Sequence, residues 1–157
     1  MGVSGCGKTA VGQQVAERWG AGFQDADDWH TEAAVAKMAS GQALTDEDRT
    51  PWLERLRDQV IGAVPEGARG VLACSALRKQ YRDALRQGQN GLKFIYLSGS
   101  QALIAGRMAA RRGHYMPSSL LDSQFAALEP PEPEEALTVS VDQPLAAVME
   151  AVLQALR

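Results

Sequence analysis

The chain has 157 residues, 45% hydrophobic and 22% charged, ordinary values for one globular domain spanning 1–157 with a sizeable core. A net charge of −3 gives no field that favours nucleic acid or an anionic membrane, so neither is expected as a partner. No signal peptide and no apolar run of about 18 residues is visible, and the two cysteines, Cys6 and Cys74, are not placed for a disulfide; a cytoplasmic setting is expected.

The first ten residues read MGVSGCGKTA, with Gly2, Gly7, Lys8 and Thr9 at the spacing G-x-x-x-x-G-K-[ST]. Val11, Val15, Ala16 and Trp19 then recur at helical spacing, and Gly20 and Gly22 stop that helix. GFQDAD (22–27) reads as a short strand running into carboxylates, and residues 29–40 as a helix ended by Gly41. TDEDRTPWLERLRDQVIGAV reads as a helix capped by Thr45 and Asp46, with Pro51 in its first turn or bending its start. GVLACSAL (70–77) is a near-continuous apolar run, the pattern of a strand buried on both faces. A basic helix follows over 78–86, then the strand LKFIYLSG and the helix SQALIAGRMAARR. The loop GHYMPSS, the helix LLDSQFAALE, the turn PPEPEE, the strand ALTVSVD and a closing helix with Pro144 in its first turn complete the chain. Strands alternating with helices predict a parallel α/β sheet flanked by helices, with right-handed crossovers.

The glycine loop is the strongest chemical signal. Gly2, Gly5 and Gly7 let backbone N–H groups approach phosphate oxygens, and the helix from Lys8 points its positive end at the anion. In that reading Val3, Ser4 and Cys6 complete the loop, Lys8 reaches the β- and γ-phosphates of ATP, and the Thr9 hydroxyl ligates Mg²⁺. In DADDWH, Asp25 and Asp27 stand at a strand end, where open α/β sheets bind ligands. They suit metal binding or orientation of an attacking hydroxyl, while Asp28 reads as a helix cap. An anionic substrate must be met locally, and two basic clusters offer themselves: Arg78, Lys79, Arg82 and Arg86, then Arg107, Arg111 and Arg112. Arg107 and Arg111 share a helix face and suit phosphate contact, although a solvated basic face at a helix C-terminus explains them as well.

Taken together, MGVSGCGKT, DADDWH, KMASGQALTDEDRTPWL, CSALRKQYRDALR, FIYLSGS, GHYMP and QFAALEPP resemble the small ATP-dependent gluconokinases over almost the whole chain. The resemblance implies a P-loop kinase fold similar to shikimate and adenylate kinases: a parallel core of five strands, a mobile substrate-binding segment at about 29–64 and a lid at about 111–120. It implies transfer of the ATP γ-phosphoryl to the 6-hydroxyl of D-gluconate. By position, Gly2 to Thr9 would be the phosphate loop and Asp25 the carboxylate near Mg²⁺, with Asp27 accepting or orienting the substrate hydroxyl. Arg49 would meet the substrate carboxylate, and Ser75 would lie beside the acceptor. Arg107 would sit on the adenine side and Arg111 on the transferring phosphoryl, with Asp142 and Pro144 in the adenine-facing loop. His30 reads equally as a packing or capping residue and as a substrate contact. A homodimer is compatible with the family.

Departures bear on these expectations. Cys6 replaces the usual loop serine, Thr31 stands where the family has proline, and Ala34 falls near a family asparagine. The hydrophobic strand that precedes the loop in the family is absent apart from Met1, so the first strand is expected to be truncated and the true start to lie upstream. The rival readings are a same-fold kinase acting on shikimate, a nucleotide or another acceptor, and a non-catalytic nucleotide-binding module. A glycine run where CSAL stands would favour shikimate, and the intact Lys8, Thr9, Asp27 and Arg111 argue against loss of chemistry.

Overall fold

A computed structural model describes residues 1–111 and 118–157. Helix α1 (Lys8–Trp19) starts at Gly7, whose φ of 100° only glycine adopts freely, and stops at Gly20, whose backbone N–H caps the carbonyls of Ala16 and Glu17. Strand β1 (Gly22–Asp25) pairs in parallel with β2 (Gly70–Ala73), and β3 (Phe94–Ser98) pairs in parallel with β4 (Ala136–Ser140). Among the described residues the sheet is therefore two parallel pairs, four strands where the resemblance implies five.

Met1 and Gly2 stitch these pairs together. The Met1 nitrogen donates to Ile95 O at 2.6 Å, Leu97 N–H donates to Met1 O at 3.0 Å, and Gly2 N–H donates to Ser75 O at 3.1 Å. The single residue before the phosphate loop thus takes the ladder position expected for the end of a central strand. Beyond it, between β2 and β3, lies a cavity of about 890 Å³ lined by Val11, Val15, Leu72, Ile95 and Val152 among others.

The helices refine the sequence reading. Residues 29–40 are not one helix. A 3-10 turn (Ala26–Trp29) comes first, and α2 (Glu32–Ala39) begins only after Thr31, whose hydroxyl accepts from Ala34 N–H. Asp28 lies inside the 3-10 turn and is not a cap; the Asp25 carboxylate caps that turn by accepting from Asp27 N–H. Helix α3 (Asp46–Arg55) opens with a capping box between Thr45 and Asp48, holds Pro51 in its second turn, and continues as π-helical turns over Leu56–Ile61. Then come α4 (Lys79–Arg86), α5 (Gln101–Ala110), α6 (Ser118–Ala127) and α7 (Leu145–Ala155), with Pro144 at the N-cap of α7.

Two apolar clusters hold this frame. One joins Val3 and Cys6 of the loop to α1, β3, α5 and α7 through Val11, Val15, Leu97, Ile104 and Val148. The other packs Trp52, Leu53 and Leu56 against Ala26, Cys74, Tyr81 and Leu85. Both cysteines are buried and free. Among the described residues no helix is long and apolar enough to cross a membrane.

Candidate active site

The phosphate loop folds as its glycines require. Gly2, Gly5 and Gly7 all have positive φ. A Cβ on Gly2 would lie 2.8 Å from both Cys6 Sγ and Leu97 O, and one on Gly5 would lie 2.7 Å from Met108 Cγ. The loop therefore packs tightly on β3 and α5 from behind, while at Gly7 nothing lies within 4 Å and the helix mouth stays open. Lys8 Nζ donates to Val3 O at 2.9 Å, folding the side chain back over the loop. The Thr9 hydroxyl donates to Asp25 Oδ2 at 3.3 Å, which brings the two sequence motifs together. A hydroxyl beside a carboxylate is a hard-oxygen pair suited to Mg²⁺, which takes one or two protein ligands and fills its shell with phosphate and water. Among the described residues no cluster of three or more His, Cys, Asp or Glu could hold a metal by itself.

The acceptor side converges on the same strand ends. The Asp27 side chain is 87% exposed and His30 only 10%, with His30 Nε2 3.9 Å from Asp27 Oδ1. Partial loss of hydration in the cleft raises the Asp27 pKa above the ordinary carboxylate value, and the neighbouring Asp25 charge adds to the shift. Burial lowers the His30 pKa, only partly countered by Asp27. The His30 ring stacks on Trp52 with centroids 4.4 Å apart, and Trp52 Nε1 donates to Ala26 O at 2.7 Å. His30 Nδ1 is buried and has no hydrogen-bond partner among the described residues. The packing role and an unmet polar need coexist in one side chain.

Arg49 lies half-buried in α3, donating to Leu44 O at 2.6 Å, with its guanidinium 5.5 Å above the Tyr81 ring. Its charge adds a small part to the lowering of the His30 pKa. Ser75 follows β2, and its carbonyl is tied to Gly2 of the loop. Asp142 and Pro144 are exposed in the turn after β4, where Val141 N–H donates to Ser98 O. Arg107 and Arg111 are exposed at the C-terminal end of α5, the helix whose Met108 packs on Gly5. Arg112 and most of the lid expected at 111–120 lie outside the described residues.

Three of the four cations of the first basic cluster already have protein partners. Lys79 pairs with Asp83, Arg82 is buried against Glu135, and Arg86 donates to Glu135 O beneath the Phe94 ring. Net basic count along the helix concealed that most of these charges already have protein partners. Sequence reasoning also missed Trp52 and Gln124. Gln124 Oε1 accepts from Ser4 N–H at 2.6 Å, and its Nε2 donates to Ser4 Oγ. A contact across 120 residues leaves no local pattern; only the motif QFAALE around it stood out.

Comparison with known proteins agrees with this architecture. The shikimate kinase family profile matches residues 4–153. A probable gluconokinase of Rattus norvegicus is 46% identical, covering 100% of this chain and 95% of that protein. The thermoresistant gluconokinase of Escherichia coli K12 is 42% identical, covering 100% and 91%. A gluconokinase structure from Sinorhizobium meliloti 1021 superposes with a TM-score of 0.89 at 42% identity, covering 99% of this chain and 88% of that one. The shikimate kinase of Acinetobacter baumannii is 18% identical with a TM-score of 0.59 and shares the fold alone. The chain belongs to the shikimate kinase family of P-loop kinases and, within it, to the gluconokinases.

Proposed function

We infer that this chain is an ATP-dependent gluconokinase, moving the γ-phosphoryl of ATP to the 6-hydroxyl of D-gluconate and releasing ADP. The observation that carries this is the meeting of the phosphate loop with Asp25, beside Asp27 and His30, at the end of β1, in a chain 42% identical to the Escherichia coli enzyme.

In this reading Lys8 exchanges its contact with Val3 O for the β- and γ-phosphates, while the loop from Gly2 to Thr9 cradles them through the N–H groups not already bonded to Ser75, Gln124 and Val3. Thr9 and Asp25 would hold Mg²⁺, which would supply charge neutralisation on the phosphates. Asp27 orients the 6-hydroxyl and takes its proton as oxygen bonds to the γ-phosphorus. The bond to the bridging oxygen breaks, and its electron pair leaves with ADP. His30 Nδ1 finds in a gluconate hydroxyl the partner it lacks. Arg49 pairs with the gluconate carboxylate, and Ser75 borders the acceptor. Arg107 lies along the adenine, Arg111 reaches the transferring phosphoryl, and the Asp142–Pro144 turn faces the base.

Little covalent work falls to such a protein; positioning and charge do most of it. Closure of residues 29–64 would exclude water, and the exposed Val35 (52%) and Met38 (42%) of α2 give this segment an apolar surface to bury. The free, buried cysteines suit a reducing cytosol.

Coupled ADP release should be measured with MgATP and, in turn, gluconate, shikimate and nucleoside monophosphates. Gluconate should give the highest kcat/KM. A higher value for shikimate or a nucleotide would overturn the assignment.

A further inference from the structure

Helix α6 reaches the phosphate loop through one side chain. The Gln124 carboxamide accepts from Ser4 N–H at 2.6 Å and donates to Ser4 Oγ at 2.9 Å, gripping both polar groups of the residue at the centre of the loop. The backbone that delivers this group is fixed. Leu121 is buried in the main core, and Phe125 packs against that core. Immediately past the helix, Glu129 N–H donates to Leu77 O at 2.8 Å, and Glu129 Oε1 accepts from Lys79 N–H at 3.0 Å. The stretch from Gln124 to Glu129 therefore ties the phosphate loop to the turn that carries Ser75, whose carbonyl holds Gly2.

Loop N–H groups are the atoms that hold phosphate oxygens. A loop of three glycines with positive φ has many conformations open to it, and only some present those groups together. We propose that Gln124 is a positioning residue for phosphoryl transfer: its carboxamide sets the conformation of Ser4, and through it the fit of the loop to the nucleotide phosphates. This role rests on reading the loop as the ATP site. Neutrality is part of the design. A carboxylate at 124 could accept from both Ser4 N–H and the rotated Ser4 hydroxyl, keeping the contact, but it would set a negative charge beside the phosphates.

The test is calorimetric titration of the intact chain and its Gln124→Ala and Gln124→Glu variants with MgADP and with a non-hydrolysable ATP analogue. Thermal melts and separate KM values for ATP and gluconate accompany it. Gln124→Ala should weaken both nucleotides about fivefold to tenfold, the scale of a lost hydrogen bond near a charged ligand. Gln124→Glu should bind more weakly still and lose more with the ATP analogue than with ADP, while melting within about 2 °C of the parent. The gluconate KM should stay within about twofold. Nucleotide affinities unchanged in both variants, or a Gln124→Glu that binds as well as the parent, would overturn the proposal. So would affinity lost only in step with melting temperature. Nucleotide affinity is read without an acceptor, so a chain that binds nucleotide normally but leaves gluconate untouched counts against the substrate reading and not against Gln124.

Discussion

Arg82 and Glu135 form a two-pronged ion pair in the interior: Nε to Oε1 at 2.6 Å and Nη2 to Oε2 at 3.2 Å, with the Arg82 side chain 1% exposed. The remaining nitrogen of Arg82 donates to the carbonyls of Ala76 and Leu77. Ala76 has a φ of 45°, where a side chain is disfavoured. The pair therefore holds a strained turn beside the active site. Replacing Arg82 by methionine keeps much of the volume but leaves the Glu135 carboxylate and the Ala76 carbonyl without their donor, and Leu77 O with Glu129 N–H alone. Urea unfolding should show a loss of about 3–5 kcal/mol. A loss under about 1 kcal/mol would mean that water satisfies these groups and that the turn stands by itself.

That ion pair also shows where sequence reading stops. The order of elements, the glycine loop before α1 and the position of Asp25 at the end of β1 were legible because each follows from a local rule: period, glycine spacing, or position at a strand end. Arg82 looked like one of four cations on a basic helix, since Glu135 lies 53 positions away. Asp28 looked like a cap because it directly precedes the helix expected from Trp29, but that helix starts only at Glu32 and Thr31 caps it. The π-helical turns at 56–61 carry apolar residues at spacings that six residues cannot separate from an α-helix. That Met1 would occupy a ladder position between β2 and β3 was not legible, because pairing there depends on Ile95, Leu97 and Ser75 together.

The acid response of the α2–α3 pair follows from Lys37 and Asp48. The Lys37 ammonium, then the Thr45 backbone N–H, hold the Asp48 carboxyl down at about 2 from a usual 3.8. A depressed folded pKa stabilises above the unfolded value and is lost as pH falls through the folded one. The melting temperature of the parent should therefore decline between about pH 4 and pH 2 more steeply than that of Lys37→Met. Parallel declines would show that the pair contributes nothing in solution.

His30 can be divided into its two parts. Phenylalanine at 30 keeps the stack on Trp52 and removes the unpartnered Nδ1. Stability should be unchanged or higher, because an unsatisfied buried polar atom is lost. The KM for gluconate should rise about tenfold while the KM for ATP stays put. If the gluconate KM is unaffected, His30 is a packing residue and nothing more.

Asp27 should give effects of opposite sign on stability and on turnover. Its pKa is raised in the folded chain by lost hydration and by Asp25, so between the unfolded value of 3.8 and the folded one the native state holds the extra proton. Stability attributable to this group accordingly falls as pH rises through that window and remains lower above it. Asp27→Asn removes a charge that the cleft and Asp25 disfavour, so its melting temperature at pH 7 should exceed that of the parent by a small margin, since the exposed side chain is screened by water, and the difference should vanish below about pH 3.8. The same substitution removes the group that orients the acceptor hydroxyl, so turnover should drop at least about tenfold, or 1.4 kcal/mol of transition-state stabilisation. Nucleotide affinity should change little, since Thr9, Asp25 and the loop are untouched. Melting curves at pH 3.5 and pH 7, run beside gluconate-dependent ADP release, separate the two effects. A variant that is more stable and equally active would take Asp27 out of the reaction, while one that is less stable at neutral pH would show that its carboxylate is a structural partner and not a base held ready by its neighbours.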